Sequence, residues 1–331
     1  MSYGAQLKFG MARQTAGGTA VTVATSFHAF ALLSEDVGLE KQELISQNLI
    51  GKFEQGAVFS GTEKVAGTIS FELTPRNMLA ALASCVNWSP ASVPSGSIVT
   101  HTFLPNTIDY DSTYVKNPWT IYKQFTDATS AEQFYDCQMG QLELKVGQGQ
   151  FLAGKLTVNA GVRADNGVGS AAITPATTDV GQLFPWNVAS LSYGGVALNQ
   201  ASEITITLNE NIDALFTIND TLNPFKYTRT GFREVTVAGT FYMNNRTILN
   251  NFGADTLARL LLTVVNTKLA IQSGYFNSVT IDVPQLKITA FKPGASGPGE
   301  VSVSFTGRGI VDPSSGYAIQ YTTVTSYQAN F

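Results

Sequence analysis

The sequence predicts a mainly β protein with a few helices (β/α+β). It is organised as two tandem units, each an antiparallel β-sheet or sandwich with a flanking α-helix and a long arm between its first two strands. Three observations carry this reading. Apolar and polar residues alternate along many short segments, the period of a sheet with one buried face. A block of the first half returns in the second. Two long segments rich in Asn, Gly, Lys, Thr and aromatic residues stand at matching places in the two copies.

The chain of 331 residues is 44% hydrophobic and 11% aromatic, enough for a core, and its length favours two domains over one. It carries 20 Lys and Arg against 24 Asp and Glu, a net charge of −4. Only 13% of residues are charged, about half the ~25% usual in soluble proteins. The polar surface is therefore largely uncharged, which suits a protein covered by partners or one presenting a non-sticky polar wall. No basic excess or stripe announces a phosphate-driven nucleic-acid binder. Thr22, Thr25, Ser26 and His28 interrupt the apolar run from Ala20 to Leu33, so it is read as mature sequence and not as a secretory leader. No apolar run approaches the ~20 residues of a membrane-spanning helix.

The repeat organises the elements. Val65-Ala66-Gly67-Thr68-Ile69-Ser70-Phe71 returns as Val237-Ala238-Gly239-Thr240-Phe241-Tyr242-Met243. Upstream, Glu40 to Ile45 corresponds to Asn209 to Leu215. Downstream of each block a helix is expected. The first starts at Pro75 and runs through Met78, Leu79, Leu82 and Val86; the second runs from Asn244 through Ile248, Leu249 and Phe252, then Leu257 to Val265, broken near Gly253. Gln141-Leu142-Glu143-Leu144 resembles Gln285-Leu286-Lys287-Ile288, and Gly154 to Val158 resembles Gly299 to Val303. Alternation marks strands at Ile204, Ile206 and Leu208, at Leu156 and Val158, and at Val301, Val303 and Phe305. The units are thus placed at 1–172 and 173–331, joined through Arg163 to Gly181, with an insertion of about 89–134 in the first. Between the first two strands of each copy lie the arms, Gln47 to Lys64 and Thr217 to Arg233, far longer than the ~2 to 5 residues of a hairpin loop.

Little in the chain speaks for catalysis. His28 and His101 are the only histidines and are read as core or strand residues. Cys85 and Cys137 are most simply two reduced thiols, a single bridge being the other reading. Gly147-Gln148-Gly149 sits between strand signals without a third Gly or a following helix, so it is a hairpin turn and not a dinucleotide loop. Asp109 with Asp111, and Glu35 with Asp36, are read as solvated loop acids. Nucleophile, base, metal cluster and cofactor loop all lack candidates, so the expectation is a non-enzyme with no cofactor and no metal.

A duplicated sheet-plus-helix unit with a long arm, low charge and no chemistry resembles the tail tube proteins of long-tailed bacteriophages, in particular the two-domain major tail proteins of siphophages. The residues carrying the likeness are Val37 to Val86 with its counterpart Asn209 to Phe252, and the strand pairs Gln141 to Val162 and Gln285 to Gly309. In that family, tube domains form six-membered rings that stack around a DNA channel. The resemblance implies a virion protein, assembled in the host bacterial cytoplasm, whose duplicated chain forms homotrimeric rings with pseudo-sixfold symmetry. It implies arms that touch the next ring, here Lys52, Phe53, Phe59, Phe225, Tyr227 and Arg229. Partners would be further copies of itself, the tape measure protein and passing DNA in the lumen, and the tail-tip and terminator proteins, with no membrane span. If the apolar strand faces pack on the helices, the lumen is lined by Thr68, Ser70, Glu72, Gln141, Glu143, Lys145, Lys155, Thr157, Asn159, Glu203, Thr205, Thr207, Ser302, Ser304 and Thr306. A one-residue register change would invert every one of these. The competing readings are a β-sandwich adhesin or decoration protein, a distal tail or terminator protein, and an outer-membrane porin, the last for its terminal Phe331.

Overall fold

The computed structural model describes residues 7–15, 17–21, 27–46, 57–86, 91–105, 118–125, 131–164, 182–218, 221–242, 247–294 and 301–327. The chain is mainly β. Its first half comprises β1 (Lys8–Arg13), β2 (His28–Ala29), β3 (Leu32–Glu35), β4 (Gly38–Ile45), β5 (Val58–Glu72), α1 (Pro75–Cys85), β6 (Ala91–Ser95), β7 (Ile98–Phe103), β8 (Trp119–Gln124), β9 (Ala131–Gly147) and β10 (Ala153–Arg163). The second comprises β11 (Ala189–Tyr193), β12 (Val196–Ala197), β13 (Ala201–Asn209), β14 (Ile212–Leu215), β15 (Lys226–Arg229), β16 (Glu234–Tyr242), α2 (Thr247–Gly253), β17 (Ala258–Gln272), β18 (Tyr275–Gly294), β19 (Ser302–Ile310) and β20 (Gln320–Thr325).

Eight strands lie side by side in the order β4-β5-β10-β9-β13-β16-β19-β18, every neighbouring pair antiparallel. The first four follow the connectivity first, second, fourth, third, and so do the last four. The strands β9 and β18 are long, 17 and 20 residues, and each serves two neighbourhoods. The N-terminal part of β9 pairs with β8, which continues to β1 and β2. That of β18 pairs with β17 and β20, which continue to β11 and to β7 and β6. Two ladders, β9 with β13 and β7 with β20, therefore cross from one half of the chain to the other. The described strands within 89–134 take part in the sheet on both sides: β7 lies on β20, β8 on β1 and β9.

Helix α1 forms where the sequence gives it a start and an apolar body. The Thr74 hydroxyl accepts the Asn77 N–H at 3.1 Å, Pro75 opens the first turn, and the Val86 N–H closes on Leu82. Every residue from Pro75 to Cys85 except Arg76 is buried. The helix shares one core with Val65, Ile69 and Phe71 of β5, Leu142 and Leu144 of β9, Leu156 of β10, and Ile204, Val237, Val303 and Tyr321 of the second half. Full burial of a Leu such as Leu79 or Leu82 stabilises by about 1.5–3 kcal/mol.

The second helix is shorter than the sequence suggests. It ends at Gly253, and Leu257 to Val265 belongs instead to β17 after Ala258. Leu260, Leu262 and Val264 are buried while Leu261, Thr263 and Val265 are not. That is strand periodicity, and the β-branched Thr263, Val264 and Val265 favour it. The arms are also more regular than open loops. In the first, β4 and β5 run on as a hairpin to Ile45 and Val58; in the second, β14 and β15 form a hairpin of their own. The turn at Gly147–Gly149 is a hairpin between β9 and β10, closed by Gln150 N–H on Gly147 O.

Candidate functional site

The fifteen polar residues singled out from alternation share one face of the eight-stranded sheet. Cross-strand rows establish this. Ser70, Lys155, Glu143 and Thr207 stand in line, continued by Thr236, Arg308 and Lys287. A second row holds Thr68, Thr157, Gln141 and Asn209. A third holds Glu72, Ala153, Lys145, Thr205, Ala238 and Thr306. Ser304 follows Glu203 and Thr240, and Ser302 lies opposite Tyr242. Asn159 alternates with buried Val158 and Ala160. The intervening residues Ile69, Phe71, Leu142, Leu144, Leu156, Ile204, Ile206, Val303 and Phe305 all face the core. Because the side-chain period is two, this parity fixes the whole face at once.

Hydroxyl and amide groups dominate the face, and two ion pairs form on it. Lys145 pairs with Glu203 at 2.9 Å across the seam between β9 and β13, and Arg308 pairs with Glu234. At the β3–β4 corner the Asp36 carboxylate accepts both the backbone N–H and the hydroxyl of Thr68. The Thr68 N–H, above all, holds its pKa below the ordinary carboxylate range. Its neighbour Glu35 is not a solvated loop acid: it is buried against Lys123 at 2.9 Å, and the Lys123 ammonium also donates to Val37 O. Asp109 and Asp111 lie outside the described residues.

At one end of this face a polar cleft of about 500 Å³ opens beneath the second arm, lined by Glu40, Lys64, Thr68, Gln141, Asn159 and Asn209 among others. Asn159 Nδ2 donates to Ile212 O at 2.9 Å, and its side chain fills the space over Gly140, where a Cβ would come within 2.3 Å of it. The arm is held at its root by Glu210. Its N–H donates to Gly140 O, and its buried carboxylate takes Arg229 and Arg233, each at 2.7 Å. Tyr227 packs with Ala160 and Ile212 and is 5% exposed. Two residues expected to reach a neighbour, Tyr227 and Arg229, are thus turned inward as anchors. Phe59 and Phe225 project, 66% and 61% exposed; Lys52 and Phe53 lie outside the described residues. Ile218, Leu222 and Phe232 are equally presented to solvent and escaped the sequence reading, though their apolar character in a polar segment is the signal for them. Two arginines four residues apart, at the far side of the arm that Glu210 opens, are the corresponding signal for the anchor.

The two histidines and two cysteines lie inside the fold. His28 is buried on α1 with Nε2 3.2 Å from Asn77 Oδ1, and His101 is buried with Nε2 3.0 Å from Tyr327 O. Cys85 and Cys137 are free and buried, and burial pushes both thiols up. Among the described residues no group of three or more His, Cys, Asp and Glu is placed to hold a metal. No described helix is long and apolar enough to cross a membrane.

Against this geometry, the family profile described as phage tail tube protein matches residues 4–309. The chain belongs to the phage tail tube protein family. Comparison with curated proteins returned no match. As a tail tube protein it is a structural component of the phage virion.

Proposed function

We propose that the chain is the major tail tube protein of a siphophage, made and assembled in the host bacterial cytoplasm. Three copies form a ring with pseudo-sixfold symmetry, and rings stack into a non-enzymatic conduit for DNA. The observation that carries the ring reading is the strand order. Two quartets with the same connectivity stand side by side and are joined by an antiparallel ladder, so three chains supply six such quartets. They correspond to the two tail-tube units of 1–172 and 173–331.

The polar face, with the fifteen residues from Thr68 to Thr306, lines the lumen. Few uncompensated cations stand on it, so passing DNA keeps its condensed counterions and slides. The tape measure protein occupies the same channel before DNA does, and tail-tip and terminator proteins cap the two ends. The arm tips, with Phe59 and Phe225 and their neighbours Lys52 and Phe53, reach the adjacent ring. Electron microscopy of the purified protein, with native mass of isolated rings, tests this. Rings of three copies with a channel wide enough for a duplex are expected, and persistent monomers under all assembly conditions would sink it.

A further inference from the structure

The inward-facing residues of the β7, β20, β18 and β17 ladder change character along the strands. At one end they are apolar: Phe103 lies opposite Tyr321, Tyr321 opposite Ile281 and Ile281 opposite Leu262, all buried. Because the side-chain period is two, the same face continues through His101, Thr323, Val279 and Val264 to Thr325, Asn277 and Asn266. These are buried too, with His101 1% exposed, Thr323 3% and Asn277 5%. Polar side chains thus occupy core positions where the two halves of the chain meet, since β7 comes from the first half and β20, β18 and β17 from the second.

Two of these side chains are satisfied inside the fold. Thr325 Oγ1 accepts the Tyr327 N–H at 3.3 Å, and Asn266 donates through Nδ2 to Leu183 O at 2.9 Å while its Oδ1 accepts the Lys268 N–H. His101 is engaged on one side only. Its Nε2 lies 3.0 Å from Tyr327 O, and a carbonyl oxygen only accepts, so Nε2 carries the proton and Nδ1 is an acceptor. His101 Nδ1, Thr323 Oγ1 and Asn277 Oδ1 have no hydrogen-bond partner among the described residues.

The three side chains are neighbours. His101 pairs directly with Thr323, and Asn277, one step beyond the Ser278–Val324 pair, stands diagonal to Thr323 on the next strand. Buried polar atoms are rarely left unpaired, and three at adjoining positions point to one shared partner. The donor count says what it is. Two acceptors, Nδ1 and Oδ1, each call for a proton, and the Thr323 hydroxyl has one to give. A cation would take lone pairs from all three, but none of the three is a carboxylate and its charge would be buried uncompensated.

We propose that His101, Thr323 and Asn277 hold one buried water molecule, which donates to His101 Nδ1 and Asn277 Oδ1 and accepts the Thr323 O–H. The site is a joint. Its three ligands belong to β7, β20 and β18, and the Tyr327 that fixes His101 has Arg76 of α1 over its ring and Gln182 at its hydroxyl. The water keys the hairpin of β6 and β7 to the second half of the chain.

The sign of a stability change tests this. Thr323→Val in the full-length protein keeps the shape and removes the hydroxyl, and it is expected to lower Tm by about 2–4 °C, because the water loses a partner it still needs. A hydroxyl with no partner would behave oppositely, so an unchanged or raised Tm overturns the site. Asn277→Leu should also lower Tm, and the double variant should lose clearly less than the sum of the two, because both act through the same water. Strict additivity overturns the shared partner. A high-resolution density map of the unmodified full-length protein decides independently of whether the variants fold. A peak about 2.7–3.2 Å from all three atoms is expected. No peak, or one at the about 2.0–2.6 Å of a metal ion, overturns the water.

Discussion

His28 shows how a single buried side chain ties this fold to pH. Asn77 donates through Nδ2 to the carbonyls of Ala31 and Glu72, which fixes its Oδ1 as the acceptor for a neutral His28 protonated at Nε2. Burial, above all, lowers the His28 pKa to about 4, although the Asn77 bond opposes this. A depressed base is neutral in the folded chain while the unfolded chain still takes up a proton near pH 6.5, so the unfolded state gains as pH falls from 6.5 toward 4. Stability is expected to drop by about 3 kcal/mol over that window from this residue alone. Unfolding by denaturant at pH 7.5 and pH 4.5 checks it: a His28→Gln variant should lose correspondingly less than the unmodified chain. Glu210 makes a second residue-scale prediction. Removing its carboxylate takes away the ion pairs to Arg229 and Arg233, which are only about one-fifth exposed. Glu210→Ala should cost about 2–4 kcal/mol locally, a figure discounted for the arginines' exposure. Hydrogen exchange should show faster opening of β14 and β15 with the amides of α1 unchanged.

At the scale of elements, α1 and the β3–β4 corner are the sensitive pieces. Thr74→Ala removes the cap that holds Asn77 N–H and should lower unfolding free energy by about 1 kcal/mol. Gly67 has φ of 146°, and a Cβ there would lie 2.5 Å from the Val37 backbone, so Gly67→Ala must push the β3–β4 corner off β5. Calorimetry of the two variants should give the larger fall in Tm for Gly67→Ala, because backbone has nowhere to retreat. The α1 start was legible from Thr74-Pro75 and its Ala/Leu/Met body, and the strand faces were legible because alternation survives any uncertainty of even register. The exchange of helix for strand at Leu257 to Val265 was not legible from spacing, since a continuous apolar run satisfies both periods and only the pairing with β18 decides it. Gln141–Leu144 and Gln285–Ile288 look alike in sequence but occupy different heights: the first faces Gly154–Thr157 and the second Gly307–Ile310. Local resemblance carries no information on ladder register when bulges intervene, as they do near Gly140 and Thr289.

For the whole molecule, the decisive property is a sheet face that is polar and nearly free of unpaired cations. Lys145 is occupied by Glu203, and Arg308 by Glu234, so if this face is the lumen wall, as proposed, the rows of threonine, serine and amide groups between them would offer DNA hydrogen-bonding partners without displacing its counterions. Affinity for DNA rises steeply with each phosphate neutralised, and in a tube every substitution is repeated in every copy of every ring. Thr157→Lys, Thr205→Lys and Thr207→Lys together therefore place a dense band of cations on the proposed lumen wall while leaving the buried alternates Leu156, Ile206 and Leu208 untouched. Tubes of normal length are expected by electron microscopy, because the core is not altered. Particles carrying the variant should release DNA more slowly in low salt and recover toward the unmodified rate as salt is raised, since screening weakens phosphate contacts. Unchanged release kinetics at every salt concentration would place this face on the outside of the tube.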